Sequence, residues 1–277
     1  MNARDVGRET NRGIQARAAV KKSTNGSKPK YTAVANTILR AVEMGRWKPG
    51  DQLPSESELA EKMHVSLGTV QRALKVLTDQ GLVLRHHGRG TFVGTGRAPD
   101  ENLRHFRFLR EGSRELLPVV SRVLSIEKIR EQGPWAEFLG REDSYVRLLR
   151  ILSVGGEFEL FSEMYLLGEK FKDLLKVKPD DLHGILVRDY LTTHFNTPTL
   201  RLEQHLWCSL LPPRVCNLIQ VPRNTMGLTW LLLAFTYRDT PAIYQKVYVP
   251  PTDRALQILD FSRPLIAMNT ELRLPVE

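Results

Sequence analysis

Residues 31–93 carry three apolar stripes at helical spacing, each with its own stop signal, followed by two short strands around a glycine-bounded basic tip. Val34, Ile38, Ala41 and Val42 fall at i, i+4, i+7 and i+8, which predicts one buried helix face. Gly45 ends it, and Pro49-Gly50 forces a reversal because proline lacks a donor and glycine permits a turn. Ser55 opens a second helix as N-cap, with Glu58 at capping-box spacing before Leu59, Ala60 and Met63, and the helix should run to about His64. Ser66 caps a third, whose Val70, Ala73, Leu74 and Leu77 bury one face before Gly81 stops it. Residues 82–85 and 91–93 read as strands flanking His86-His87-Gly88-Arg89-Gly90.

Two short helices joined by a tight turn and followed by a basic hairpin form the helix-turn-helix layout, in which the third helix's first turn enters the major groove. Leu67, Gly68, Thr69, Gln71 and Arg72 would lie nearest base edges and phosphates, with Lys75 one turn on and Ser55, Ser57 and Ser66 at the helix openings. In the hairpin, Arg85, His87, Gly88, Arg89 and Gly90 would lie along the phosphate backbone or reach a minor groove.

The runs Leu53-Pro-Ser-Glu-Ser-Glu-Leu-Ala, Val65-Ser-Leu-Gly-Thr-Val-Gln-Arg-Ala-Leu and Gly81-Leu-Val-Leu-Arg-His-His-Gly-Arg-Gly-Thr-Phe-Val together resemble the GntR family of bacterial winged-helix repressors. Many members carry arginine where this chain has Ser57, Leu67 and Gln71. Each lost phosphate contact lowers the salt slope of DNA binding by about one unit. Gln71 suits adenine and Leu67 a thymine methyl, so an A·T-dependent half-site is expected.

A chain of 277 residues suits two domains, and a net charge of +9 with pI ≈ 9.7 suits a polyanionic partner. Residues 1–29 hold seven of these cations (Arg4, Arg8, Arg12, Arg17, Lys21, Lys22 and Lys28) against Asp5 and Glu9, which predicts a disordered basic arm. No apolar run approaches the ~20 residues of a membrane span, and no signal-type segment opens the chain, so a cytoplasmic protein is expected. Cys208 and Cys216 sit in apolar or proline-flanked surroundings and are expected to be buried free thiols. His86 and His87 have no cysteine or carboxylate at zinc spacing, so neither metal nor cofactor is expected.

After a polar Gly/Pro break at residues 94–100 the texture changes. Stretches 117–126, 145–154, 158–167, 200–206, 227–237 and 242–249 read as strands, and 135–139, 171–175, 182–195 and 212–219 as helices. The expected fold class is α+β: a winged helix-turn-helix joined to an antiparallel sheet covered by helices on one side. This half resembles the UTRA effector domain, which accompanies the HutC branch of GntR repressors and shares its fold with chorismate lyase. The carriers are Arg107-Phe-Leu-Arg-Glu-Gly with Pro118 and Ser121-Arg-Val-Leu, Leu149-Arg150, Ser162-Glu-Met-Tyr-Leu, Arg188-Asp-Tyr-Leu and Asp253-Arg254. The resemblance implies that Arg150 and Glu163 line an effector pocket. Strand alternation puts Tyr165 on the face of Glu163, and Arg107 and Tyr248 complete the candidate set. A structural ion pair between Arg150 and Glu163 is the competing reading. A second arginine and a glutamate common in the family are Leu152 and Ile243 here, which points away from a sugar phosphate and toward an apolar or aromatic carboxylate.

The expected organisation is a basic arm at 1–29, a winged helix at 30–94, a linker at 95–104 with the hinge at 94–100, an effector-binding and dimerisation domain at 105–265 and a tail at 266–277. The expected function is a homodimeric repressor on a roughly palindromic double-stranded operator, released or retained by a small acidic metabolite. The alternative is a lyase-like enzyme using Glu163, His183, His194 or His205. No nucleophile–base–orienter constellation supports it, so catalytic residues are expected to be none. An all-helical metal-binding effector domain conflicts with the strand-rich second half.

Overall fold

The computed structural model describes residues 29–94 and 106–258. The expected arm through residue 28, the linker and the tail lie outside the described residues. Helix α1 is Lys30–Glu43, α2 Glu56–Lys62 and α3 Leu67–Asp79. Both expected caps form. Ser55 Oγ accepts from the Glu58 amide at 3.2 Å while the Glu58 carboxylate accepts from the Ser55 amide at 2.7 Å. Ser66 Oγ accepts from the Thr69 amide at 3.3 Å. Ile38, Val42, Leu59, Val70, Leu74 and Leu77 close a single core under the three helices. Strands β1 (Val83–His86) and β2 (Gly90–Val93) pair antiparallel. The residues before α2 add a rung: the Leu53 amide donates to the Thr91 carbonyl at 2.8 Å, and Gln52 Nε2 to the Arg89 carbonyl at 3.0 Å. Gly90 has φ +110°, a conformation that favours glycine, and a Cβ there would stand 2.6 Å from Gln52 Nε2 and displace that amide.

The second domain contains β3 (Val119–Ile129), α4 (Pro134–Leu139), β4 (Tyr145–Val154), β5 (Phe158–Leu167), α5 (Val187–Phe195), β6 (Arg201–Leu210), α6 (Pro213–Leu218), β7 (Met226–Phe235) and β8 (Pro241–Val249). Their six strands form one antiparallel sheet in the order β3-β4-β5-β8-β7-β6. The expected strands at 145–154 and 158–167 coincide with β4 and β5. Two expected helices differ. Residues 172–176 form a 3-10 turn, and the stretch 182–195 is broken by Gly184 at φ +70°, so α5 starts only at Val187.

The expectation of helices on one side is corrected. Face one carries Leu148, Leu152, Leu160, Met164, Trp230 and Val247, packed under α5 and the 3-10 turns. On face two α4 packs over Tyr165 and Tyr244, and α6 over Ile151, Phe161 and Tyr248. The strands alternate, and both sets of side chains are apolar or aromatic, so each face requires its own cover. The expected pair of buried thiols is half right. Cys216 is buried and donates to the Leu211 carbonyl at 3.6 Å, whereas Cys208 is exposed because β6 is the sheet's edge.

The two domains touch. Tyr237 is enclosed with the apolar cluster of the helical head, and Arg238 grips Glu43 through two contacts at 2.5 and 3.0 Å. Leu74 is fully buried at the centre of that cluster. Leu74→Ala should destabilise the head by about 2–5 kcal/mol, read as an earlier urea midpoint with an unchanged m-value; a change below ~1 kcal/mol would show that the core repacks.

Candidate nucleic-acid interface and effector site

Burying Val70, Ala73, Leu74 and Leu77 turns the opposite face of α3 outward. Ser66, Leu67, Gly68, Gln71, Arg72 and Lys75 are exposed there and Thr69 is half-buried. Ser55, Ser57, Arg85, His87, Gly88, Arg89 and Gly90 are exposed beside them, so the expected DNA-reading residues lie on accessible surface. Sequence patterning did not reveal how they are held. Glu56 accepts from Gln71 Nε2 at 2.9 Å and forms an ion pair with Arg85, tying α2, α3 and the wing together through one carboxylate. Arg72 lies 4.4 Å from the Tyr31 ring centroid, and Lys75 pairs with Asp79 at 3.5 Å. Glu56 binds residues 15 and 29 positions away, a proximity that no local pattern encodes.

In the sheet, register decides which side chains meet. Arg150 is directly opposite Ser162, and Glu163 is opposite Leu149. Arg150 therefore projects from face one, and Glu163, with Tyr165 and Tyr248, from face two. The expected pocket joining Arg150 to Glu163 does not form, and neither does their ion pair, because one position along a strand reverses the face. Glu163 pairs instead with Arg214 on α6. Burial and the Glu163 charge push the Tyr165 and Tyr248 phenols up to about 12, and Tyr165 stacks on Trp135 with centroids 4.0 Å apart. Arg107 donates to Gln257 at 2.9 Å. His194 stacks on Tyr190 at 4.1 Å.

Face one holds a different set. Arg150, 5% exposed, donates to Ser162 Oγ at 3.1 Å. Gln245 Nε2 donates to the same oxygen at 2.9 Å. Arg188, from the first turn of α5, donates to Gln245 Oε1 at 3.0 Å and to Thr199 Oγ1 at 3.1 Å. Among the described residues no carboxylate pairs with either guanidinium. Burial pushes Arg150 down to about 10, and burial with the Arg150 charge pushes Arg188 down to about 9, so both stay cationic at neutral pH. Arg150 Nε, Ser121 Oγ and Trp230 Nε1 are buried on this face with no hydrogen-bond partner among the described residues. Two charges of one sign and orphan donors set in an apolar interior suit an anion with an apolar body. Ser162, Arg188, Gln245 and Thr199 were not anticipated. Arg188 lay inside a quoted motif, but only its bond to Gln245, 57 positions along the chain, brings it into one network with Arg150.

Two family profiles match the chain: bacterial regulatory proteins of the gntR family over residues 30–93, and the UTRA domain over residues 117–253. The chain belongs to the gntR family. With its UTRA domain it falls in the HutC subfamily, an α+β architecture of winged helix and antiparallel sheet. It is similar to the histidine utilization repressor of Klebsiella aerogenes, 45% identical over 65 residues, 24% of this chain and 27% of that protein. It is also similar to the transcriptional regulator SmoD of Agrobacterium fabrum, 28% identical over 148 residues, 53% of this chain and 62% of that protein. The matches thus span less than two thirds of either relative. Among solved structures, PhnF from Mycobacterium smegmatis is 19% identical with a TM-score of 0.44, covering 78% of this chain and 94% of that one.

Two outcomes are expected of this gntR-family chain. Arg150→Met removes a buried charge whose Nε lacks a partner, and Ser162 keeps Gln245 as donor. Both arginines bind protons less tightly folded than unfolded, so at neutral pH their burial opposes folding, and the penalty fades only as pH rises through about 9 to 10. The variant should unfold some 2–4 °C higher in anion-free buffer; a lower midpoint would mean that the empty site already stabilises the charge. Glu56→Ala should free Arg85 for a phosphate and steepen the salt dependence of DNA binding by about 0.9 in log–log slope, while base preference opposite Gln71 weakens; an unchanged slope would show that Arg85 gains no contact.

Proposed function

We propose that the protein is a metabolite-responsive transcription regulator, a repressor by kinship, that binds operator DNA through α3 and the wing. Its second domain senses a small organic acid at the chamber of Arg150, Arg188, Ser162 and Gln245. The observation that carries this reading is a buried and a half-buried guanidinium, Arg150 and Arg188, on one hydrogen-bonded network without a carboxylate partner among the described residues, in a chain whose recognition helix has an open reading face. The ligand class follows from the chamber. Arginine geometry favours a carboxylate, and Trp230, Leu232 and partly buried Phe106 offer the apolar and aromatic surface that a sugar does not need.

The proposed working unit is a homodimer in the cytoplasm, joined through the second domain, with residues 95–104 connecting each head. Two-fold symmetry then demands a roughly palindromic operator. An acid changes DNA affinity only by its preference for one arrangement of the heads, and couplings of about 1–3 kcal/mol correspond to roughly 5- to 150-fold. With Leu67 and Gln71 at the reading face in place of cations, the half-site is A·T-dependent.

Selection from a random DNA pool by the full chain should return palindromes with A·T-centred half-sites, and benzoate should stabilise the protein against heat where glucose 6-phosphate does not. Guanine-centred half-sites would overturn the readout, and stabilisation by the sugar phosphate alone would overturn the ligand class.

A further inference from the structure

Helix α5 ends at Asn196, which adopts a left-handed conformation with φ 48°. There the side-chain amide turns away from its own helix and donates to the last carbonyls of α1, Val42 at 2.9 Å and Glu43 at 3.3 Å. Tyr237 O–H donates to Asn196 Oδ1 at 3.2 Å while its ring lies in the apolar cluster of the head. Arg238, also left-handed, holds Glu43, and Leu200 packs against the same cluster. The head is thus clamped through the end of α1.

The same short segment reaches the anion chamber from its other side. Thr199, three residues from Asn196 and next to Leu200, accepts the 3.1 Å hydrogen bond from Arg188. The three remaining bonds of the network join Arg188 to Gln245, Gln245 to Ser162 and Arg150 to Ser162. Arg188 is therefore the one group that belongs to both the chamber and the support of the clamp.

We propose that residues 196–200 relay occupancy of the chamber to the DNA-binding head, with Thr199 as the positioning residue on the chamber side and Asn196 on the head side. This deepens the regulatory reading and rests on it. An anion bridging Arg150 and Arg188 competes for the donors that Arg188 now directs at two neutral oxygens. Arg188 now supplies the only charge in each of these bonds, whereas a carboxylate brings the opposite charge and a bidentate geometry that suits the guanidinium fork, so the exchange favours the anion and releases Thr199. Without that tether the segment holding Asn196 and Leu200 is free to shift, and the clamp on Val42 and Glu43 weakens. Coupling of this kind is reciprocal: what loosens the clamp must also favour the anion.

Amide hydrogen exchange on the full chain tests the relay at residues 44–46, whose amides close the end of α1 on the Arg40, Val42 and Ala41 carbonyls. Thr199→Val keeps the shape and removes the acceptor without touching either arginine; Asn196→Ala removes the clamp itself. Both should raise exchange at 44–46 several-fold, and benzoate should do the same to the unmodified chain but add nothing in either variant. Unchanged exchange in Thr199→Val overturns the relay. So does benzoate that binds by calorimetry, is lost in Arg150→Met, and leaves exchange at 44–46 unaltered. Failure of benzoate to bind would count against the ligand class alone, since Thr199→Val still decides the relay.

Discussion

Alternation along β5 is the constraint on which the second domain depends. Ser162 and Glu163 are neighbours in the chain, yet one joins a cationic chamber under α5 and the other an aromatic face under α6. The sheet keeps two chemistries one peptide apart and isolates them by its own thickness. A carboxylate beside Arg150 would neutralise this site; displaced by one residue, it is held by Arg214 and leaves the guanidinium groups without a counterion among the described residues. The ligand preference proposed for this site therefore comes from strand register as much as from residue type.

The helical head uses a complementary economy. Its reading face has few cations, and those it has are partly engaged: Arg85 with Glu56, Arg72 with Tyr31 and Lys75 with Asp79. Surface pairs of this kind contribute little to stability, so their consequence is positional. Glu56 fixes the amide of Gln71 before any base arrives, and Gln52 fixes the wing tip through the Arg89 carbonyl. A reader built from neutral side chains gains more from such preorganisation than one that relies on long-range attraction.

Much of this was legible in the chain. The capping box at Ser55, the cap at Ser66 and the apolar periods placed all three helices of the head, because those signals act within four residues. Strands β4 and β5 were legible for the same reason, as runs of branched and aromatic side chains bounded by Gly155-Gly156. What failed depended on distance. The placement of Glu163 with Arg150 assumed a register that only pairing across strands could supply, and the single-sided cover put the expected helix at 212–219 on the wrong face, because its partners Phe161 and Tyr248 are about thirty residues or more away on either side. Roles for Arg188 and Asn196 were invisible because each depends on contact with a separate part of the chain.

The exposed edge strand β6 has a practical side. The chain has two cysteines, and only Cys208 reaches the surface, while Cys216 is buried on the sheet-facing side of α6. A maleimide dye or spin label would therefore attach at one defined point without engineering, at the rim of the sheet far along the chain from the α3 reading face. In a two-fold assembly that point and its symmetry mate define a single distance, so the arrangement of the protomers could be followed by resonance energy transfer or pulsed electron resonance on the unmodified sequence.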